Sequence, residues 1–148
     1  MNGFLSKMET PLINITELNE RYSEALAVLN EQLILDEGHS NAMDIQALTA
    51  RMRRWLQHDY RCYGIIRSSL PIAYALYRDD GDCFYLRQLF TARAYRNQGL
   101  ASQLLEYLQL RVFLNKPVRL EVLVDNKRAV DFYHTHGFKV YSHTMVMG

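Results

Sequence analysis

The sequence predicts an α/β protein of the α+β kind, a mixed and mostly antiparallel central sheet with helices on both faces. Three observations carry this. Helical periods of apolar residues fill the first third of the chain, strand-like segments separated by turn residues follow from Tyr60, and helix-like and strand-like stretches alternate in the last third. The predicted order is β-α-α-β-β-β-α-β-α-β, antiparallel hairpins leading into a β-α-β crossover. At 148 residues the chain is expected to form one domain, 1–148, large enough to bury a core without staples.

Residues 1–10 read as a loose leader, and 11–15 as a short first strand. Thr16 is the expected N-cap of a helix whose buried face is Leu18, Tyr22, Ala25, Leu26, Leu29 and Leu33. The polar stretch Asp36-Glu37-Gly38-His39-Ser40-Asn41 ends it. A second helix starts at Asp44 and buries Ile45, Leu48, Met52 and Trp55, with Arg51, Arg53 and Arg54 as its solvated face. Residues 60–67 and 70–78 read as strands joined by a tight turn at Ser68-Ser69, with Pro71 where a missing donor is tolerated. Asp79-Asp80-Gly81-Asp82 turns the chain into a third strand ending at Thr91. A helix then runs from near Gly99 through Leu100, Leu104, Leu105, Leu108 and Val112 to a stop at Asn115-Lys116-Pro117. Residues 118–124 alternate as a strand, Asp125-Asn126 open a short helix that Gly137 stops, and 138–147 form a last strand. The apolar alternation of that strand admits an edge-to-edge homodimer.

Composition narrows the function classes. A net charge of +1 provides no global field for nucleic acid or an acidic membrane, so partners must be recognised locally. Cys62 and Cys83 are far apart and lack metal-ligand spacing, which points to a reducing, cytoplasmic setting without a disulfide framework. No apolar run approaches membrane-spanning length. His134 and His136, two apart on a helix, make a poor metal pair, and no metal is expected. Neither a Gly-x-Ser-x-Gly elbow nor a Cys-His nucleophile arrangement is visible.

Arg96-Asn97-Gln98-Gly99-Leu100-Ala101 lies between the third strand and the helix that follows. A strand that turns into a helix through a glycine aims unpaired backbone N–H groups and the helix dipole at one point, a natural seat for phosphate. Gly99 permits close approach, and Ala101 and Ser102 keep the first turn uncrowded. The stretch is not a P-loop, since no Gly-Lys-Ser/Thr follows, and a single glycine is not a dinucleotide fingerprint. By itself, one glycine before a helix is more often an ordinary turn.

Two motifs together resemble the GCN5-related N-acetyltransferase (GNAT) superfamily over the chain from about Thr16 to its end. The first is Arg/Gln-x-x-Gly-x-Gly/Ala, matched by Arg96, Gly99 and Ala101. The second, Asn-x-x-Ala-x-x-x-Tyr followed by Gly-Phe, is matched by Asn126, Ala129, Tyr133 and Gly137-Phe138. The resemblance implies the acyl-CoA N-acyltransferase fold and acetyl-CoA as co-substrate. It implies that Arg96, Asn97, Gln98, Gly99, Leu100, Ala101 and Ser102 hold the pyrophosphate, with Asn126 and Ala129 nearby. Leu89, Phe90 and Thr91 would pair with the pantetheine arm in a wedge between this strand and residues 118–124, and Tyr133 would stand beside the sulfur as general acid.

The acceptor side is less determined. The strand that supplies a carboxylate in many relatives offers only Tyr85, Arg87 and Gln88 here. Asp36, Glu37 and His39, in the loop that borders the acceptor pocket in relatives, are the expected contacts for an amine, with Glu37 or His39 accepting its proton through water. A solvated helix terminus explains the same residues, and packing under the sheet explains Tyr133. Tyr85 and Arg87 at the pocket floor hint at an acceptor carboxylate. The expected reaction is transfer of acetyl from acetyl-CoA to a primary amine of a small molecule, peptide or protein terminus. A non-catalytic acyl-CoA-binding module is the reading from another class.

Overall fold

The structure, a computed structural model, describes residues 14–38 and 43–148. The expected leader and most of the expected first strand therefore lie outside the described residues, as does His39. Five strands, β1 (Ile15–Glu17), β2 (Tyr60–Arg67), β3 (Leu70–Asp79), β4 (Phe84–Thr91) and β5 (Val118–Arg119), form one sheet in chain order. Neighbours are antiparallel through β4, and β5 joins β4 in parallel. Helices α1 (Ser23–Asp36) and α2 (Ile45–Gln57) cover one face, and α3 (Leu100–Arg111) the other, with α4 (Lys127–Thr135) beside it.

Each face buries its own cluster. Leu100, Leu104, Leu105 and Leu108 of α3 pack on Ala75, Tyr77, Phe84 and Leu86. Leu26 and Leu29 of α1 and Met52 of α2 pack on Tyr60, Cys62, Tyr74, Leu76 and Phe90. Fully burying one such leucine contributes about 2 kcal/mol, and all four α3 leucines lie below 5% exposure, so this helix is held by its apolar stripe. Both residues of the Ser68-Ser69 turn take positive φ (52° and 68°), the two-residue turn whose twist matches the flanking strands.

Thr16 is not a helix cap. It pairs with Gly64 inside β1, and Asn19 takes the capping role, its Oδ1 accepting from Arg21 N at 3.0 Å at the head of a short 3-10 turn, Glu20–Tyr22. The local sequence permitted both, and pairing with β2 decided between them. Asp44 caps α2 as expected, accepting from Ala47 N at 2.8 Å. Helix α3 ends at Arg111, four residues before the predicted stop.

The two C-terminal strands are shorter than the pattern suggests. The predicted strand 118–124 pairs only through Val118 and Arg119, and 138–147 form no strand. Alternation specifies a strand only where a neighbour completes its ladder, and none lies beside 138–147. Tyr141, Met145 and Met147 are correspondingly at least 91% exposed. The structure thus contains no terminal edge strand through which the homodimer admitted by the sequence would form.

Candidate functional site

The early end of the β4–β5 ladder creates the site. Pairing stops at Tyr85↔Arg119, so β4 from Leu86 to Thr91 is bonded to β3 on one side and has no strand on the other. A β-edge with free backbone donors and acceptors is a template for an extended ligand. Leu89, Phe90 and Thr91 lie on this open stretch, in register with Ala75, Tyr74 and Ala73.

After β4 the chain passes through a second 3-10 turn, Arg93–Tyr95, into the loop 96–99 and α3. Gly99 is the N-cap of α3 with φ +73°, a left-handed conformation that favours glycine. A Cβ built there would meet nothing nearer than Gln103 Nε2 at 3.9 Å, so the space over the helix terminus is open. The first intrahelical bond is Gln103 N to Gly99 O (3.0 Å), and no side chain among the described residues caps the helix. The N–H groups of Leu100, Ala101 and Ser102 are therefore left facing that space, as an anion cradle requires.

The cradle is tied from both flanks. The Arg96 guanidinium hydrogen-bonds both the Asp36 carboxylate and Thr91 O, the latter at 3.3 Å, and stacks on Phe90. Arg93 donates to Asp36 Oδ1 through Nε (3.1 Å) and Nη2 (2.8 Å). Burial works to raise the Asp36 pKa, but the hydrogen bonds and charges of Arg96 and Arg93 outweigh it and hold the carboxyl below its usual value. Both Asp36 oxygens are thus engaged by arginines that shape the loop. From the other side, Asn97 Oδ1 accepts from Arg128 of α4 at 3.3 Å, and Ser102 Oγ lies 3.1 Å from His136 Nε2.

Helix α4 carries the second motif. Asn126 caps it, Oδ1 accepting from Ala129 N at 3.2 Å. Gly137, at φ +93°, ends it, and Phe138 N returns to Tyr133 O at 3.0 Å. Tyr133 is half-buried between Phe132 and Phe138, its ring centroid 5.2 and 5.5 Å from theirs. Burial and the Glu37 carboxylate push its pKa up to about 12. Burial above all holds Tyr74 well above its ordinary value, with the Glu37 carboxylate the smallest contributor. Glu37, the C-cap of α1, therefore acts electrostatically on a residue of α4.

The acceptor side holds more than the sequence disclosed. Tyr85 donates to Glu121 Oε1 at 3.3 Å, which sets that carboxylate at the closed end of the wedge, where the β4–β5 ladder stops. In the sequence Glu121 reads as a residue facing across the sheet or solvent, since nothing local marks its contact with Tyr85. Arg51 is not part of a solvated face. It is half-buried, donates to Asn30 Oδ1 at 3.0 Å and stacks on Trp55. Arg87 is the extra residue of a β-bulge, because the β3–β4 register passes from Leu76↔Gln88 to Tyr77↔Leu86. Among the described residues no cluster of three or more His, Cys, Asp or Glu is arranged to hold a metal, and no helix is long and apolar enough to cross a membrane.

Comparison with known proteins agrees with this geometry. The family model described as Acetyltransferase (GNAT) family matches residues 22–138. Among solved structures the chain is similar to a possible acetyltransferase from Clostridium difficile 630, with 19% identity over 93% of this chain and 97% of that one and a TM-score of 0.77. It is similar also to an aminoglycoside N-acetyltransferase in complex with CoA (16% identity, 93% and 94% covered, TM-score 0.74). A ribosomal-protein-alanine N-acetyltransferase from Brucella melitensis biovar Abortus 2308 shares the fold at 11% identity (93% and 99% covered, TM-score 0.69). At these identities the likeness is one of fold. Among curated proteins no match is found.

Proposed function

We propose the following reaction for this chain, which belongs to the acetyltransferase (GNAT) family by the match over residues 22–138: acetyl-CoA-dependent acetylation of a primary amine, by direct attack in a ternary complex. One observation carries the reading. The uncapped N–H groups at the start of α3 and the unpaired edge of β4 belong to one continuous stretch, 86–102, so a single ligand with an anionic end and an extended arm meets both. Acetyl-CoA supplies an activated thioester with those two features.

The remaining chemistry rests on the chain's own groups. In this reading Gln98, Gly99, Leu100, Ala101 and Ser102 receive the pyrophosphate, while Arg96 and Asn97 hold the loop in shape through Asp36 and Arg128. Leu89, Phe90 and Thr91 pair with the amide-bearing arm, and an N–H near Leu89 polarises the thioester carbonyl. Asn126 and Ala129 border the same groove through the α4 cap. Tyr133, with a pKa of about 12, is protonated at every physiological pH and can donate to the departing sulfur. Complete proton transfer from such a group to a thiolate of pKa about 8.5 would run about 5 kcal/mol uphill. Tyr133 therefore serves as a hydrogen-bond donor that stabilises the leaving thiolate.

An acceptor amine is largely protonated at neutral pH and must lose a proton before attack. Glu37 is the preferred base, acting through water, because it ends α1 beside the loop expected to border the acceptor and its field reaches Tyr133. Glu121 is engaged by the Tyr85 hydroxyl, and Tyr85 stands where the β4–β5 ladder stops, four residues before Leu89. The acceptor is a primary amine on a small molecule, a peptide or a protein terminus.

Thermal unfolding with acetyl-CoA is the first test. Ligand at a hundred times its Kd should stabilise the fold by about 2.7 kcal/mol. An upward shift that disappears in Gly99→Val, followed by amine-dependent release of CoA thiol, supports the enzyme. A shift without turnover on any amine supports a binding module instead, and no shift overturns the cradle.

A further inference from the structure

Two guanidinium groups meet at one indole near the open edge of β4. Arg51 of α2 stacks 4.5 Å from the Trp55 ring centroid, and Arg87 of β4 stacks 4.7 Å from the same centroid. Arg87 Nη1 donates to Tyr60 Oη at 3.1 Å, and Arg78 Nη1 donates to the same oxygen at 2.8 Å. Arg78 has a counter-ion, Asp80, at 2.5 Å. Arg51 and Arg87 have none: neither forms an ion pair among the described residues.

Their positive charge is unbalanced where balance matters most. Among the described residues Arg51 Nε is buried without a hydrogen-bond partner, and so is Nδ2 of Asn30, whose Oδ1 accepts from Arg51 Nη2. Burial first, and then the like charge of Arg87, both disfavour the Arg51 cation. Isolated positive charge facing a like charge is costly unless an anion completes the site. Arg87 gains its direction from the bulge, a device that re-aims a side chain beside active sites. It lies two residues before Leu89, about 7 Å along the strand, and so next to where an acceptor would meet the thioester.

We propose that Arg51 and Arg87, braced on Trp55, form a carboxylate subsite, and that the acceptor is an amine-bearing carboxylic acid of the free amino-acid class. Exposed Arg87 forms the mouth of this subsite and half-buried Arg51 its back. A guanidinium edge matches the two oxygens of a planar carboxylate. The acceptor assignment rests on the acetyltransferase reading, whereas the anion subsite is testable without it.

Trp55 is the chain's single tryptophan, so its fluorescence reports on this spot alone. The full-length protein, with CoA present, is titrated with free L-amino acids, the corresponding amino-acid amides, and phosphoethanolamine. The expected result is a saturable Trp55 response to one or more of the acids. The matched amides should bind at least about tenfold more weakly, the loss expected when a charged hydrogen bond is removed. Arg87→Gln, an exposed change, should weaken the acid response about tenfold or more, and Arg51→Gln should do the same wherever its melting curve remains cooperative. Equal responses to acids and amides, a stronger response to phosphoethanolamine, or silence across all three sets overturns the proposal. The thermal shift with acetyl-CoA, read in parallel, separates the two ideas. A shift with a silent Trp55 removes the subsite alone, and a Trp55 response without a shift removes the acetyltransferase reading and leaves an anion site.

Discussion

Replacing Tyr133 with phenylalanine separates chemistry from packing. Among the described residues the Tyr133 hydroxyl has no hydrogen-bond partner, while its ring packs against Phe132 and Phe138. Tyr133→Phe keeps those ring contacts and removes only an oxygen that burial already penalises, so stability should change by less than about 1 kcal/mol. If the hydroxyl donates to the leaving thiolate, it makes a charge-assisted hydrogen bond that strengthens as the thiolate develops. Losing about 1.5–3 kcal/mol of that bond lowers kcat about 10- to 150-fold. KM for acetyl-CoA should barely move, because the sulfur carries little charge in the ground state. Steady-state release of CoA thiol, measured beside melting curves for both proteins, reads each quantity. The reasoning is refuted if kcat stays within about twofold of the parent, or if the variant loses turnover only in proportion to lost fold.

Four further outcomes follow from the geometry. Gly64→Ala should destabilise the fold by about 1–3 kcal/mol in chemical denaturation, because its Cβ would stand 2.5 Å from Leu18 Cδ1 and 2.9 Å from Ala73 O. Gly99→Val should cost about 1–2 kcal/mol of stability through the positive φ alone, and should abolish the acetyl-CoA-induced thermal shift. The Asp36 carboxyl is held below its ordinary 3.8, so its contribution to stability is present above about pH 4 and is lost as the pH falls through its folded value. Melts of Asp36→Asn should lack that acid-side decline. Tyr133 carries the opposite sign: its folded pKa of about 12 lies above the ordinary value near 10, so its contribution holds below pH 10 and declines between pH 10 and 12. Tyr133→Phe should remove that alkaline component of the melting profile.

The legible parts of this molecule are those written in contiguous residues. Asp44 announces its helix because a cap needs only the next three residues, and the stretch around Gly99 and the spacing from Asn126 to Gly137 are likewise local. Thr16 misled because capping and strand pairing compete for the same residue, and only the presence of β2 resolves the competition. The alternation of 138–147 is a sound strand pattern with no neighbour to complete it. Arg51 was misread because Asn30, Trp55 and Arg87 come together from three elements. The bulge at Arg87 leaves no mark in the sequence, since a skipped partner is a property of two strands.

The Arg96–Asp36 contact makes the two halves of the groove mechanically dependent on each other. Asp36 ends α1 and leads directly into the segment expected to line the acceptor, yet its carboxylate fixes the loop on which the pyrophosphate would rest. Remodelling that segment for a new amine would therefore pull on the nucleotide side as well. Descendants of this chain would change acceptor more readily through Trp55, Arg87 or Glu121, whose contacts leave the anion loop untouched. Selection for novelty is channelled toward the floor of the groove, while its rim stays under the discipline of the co-substrate.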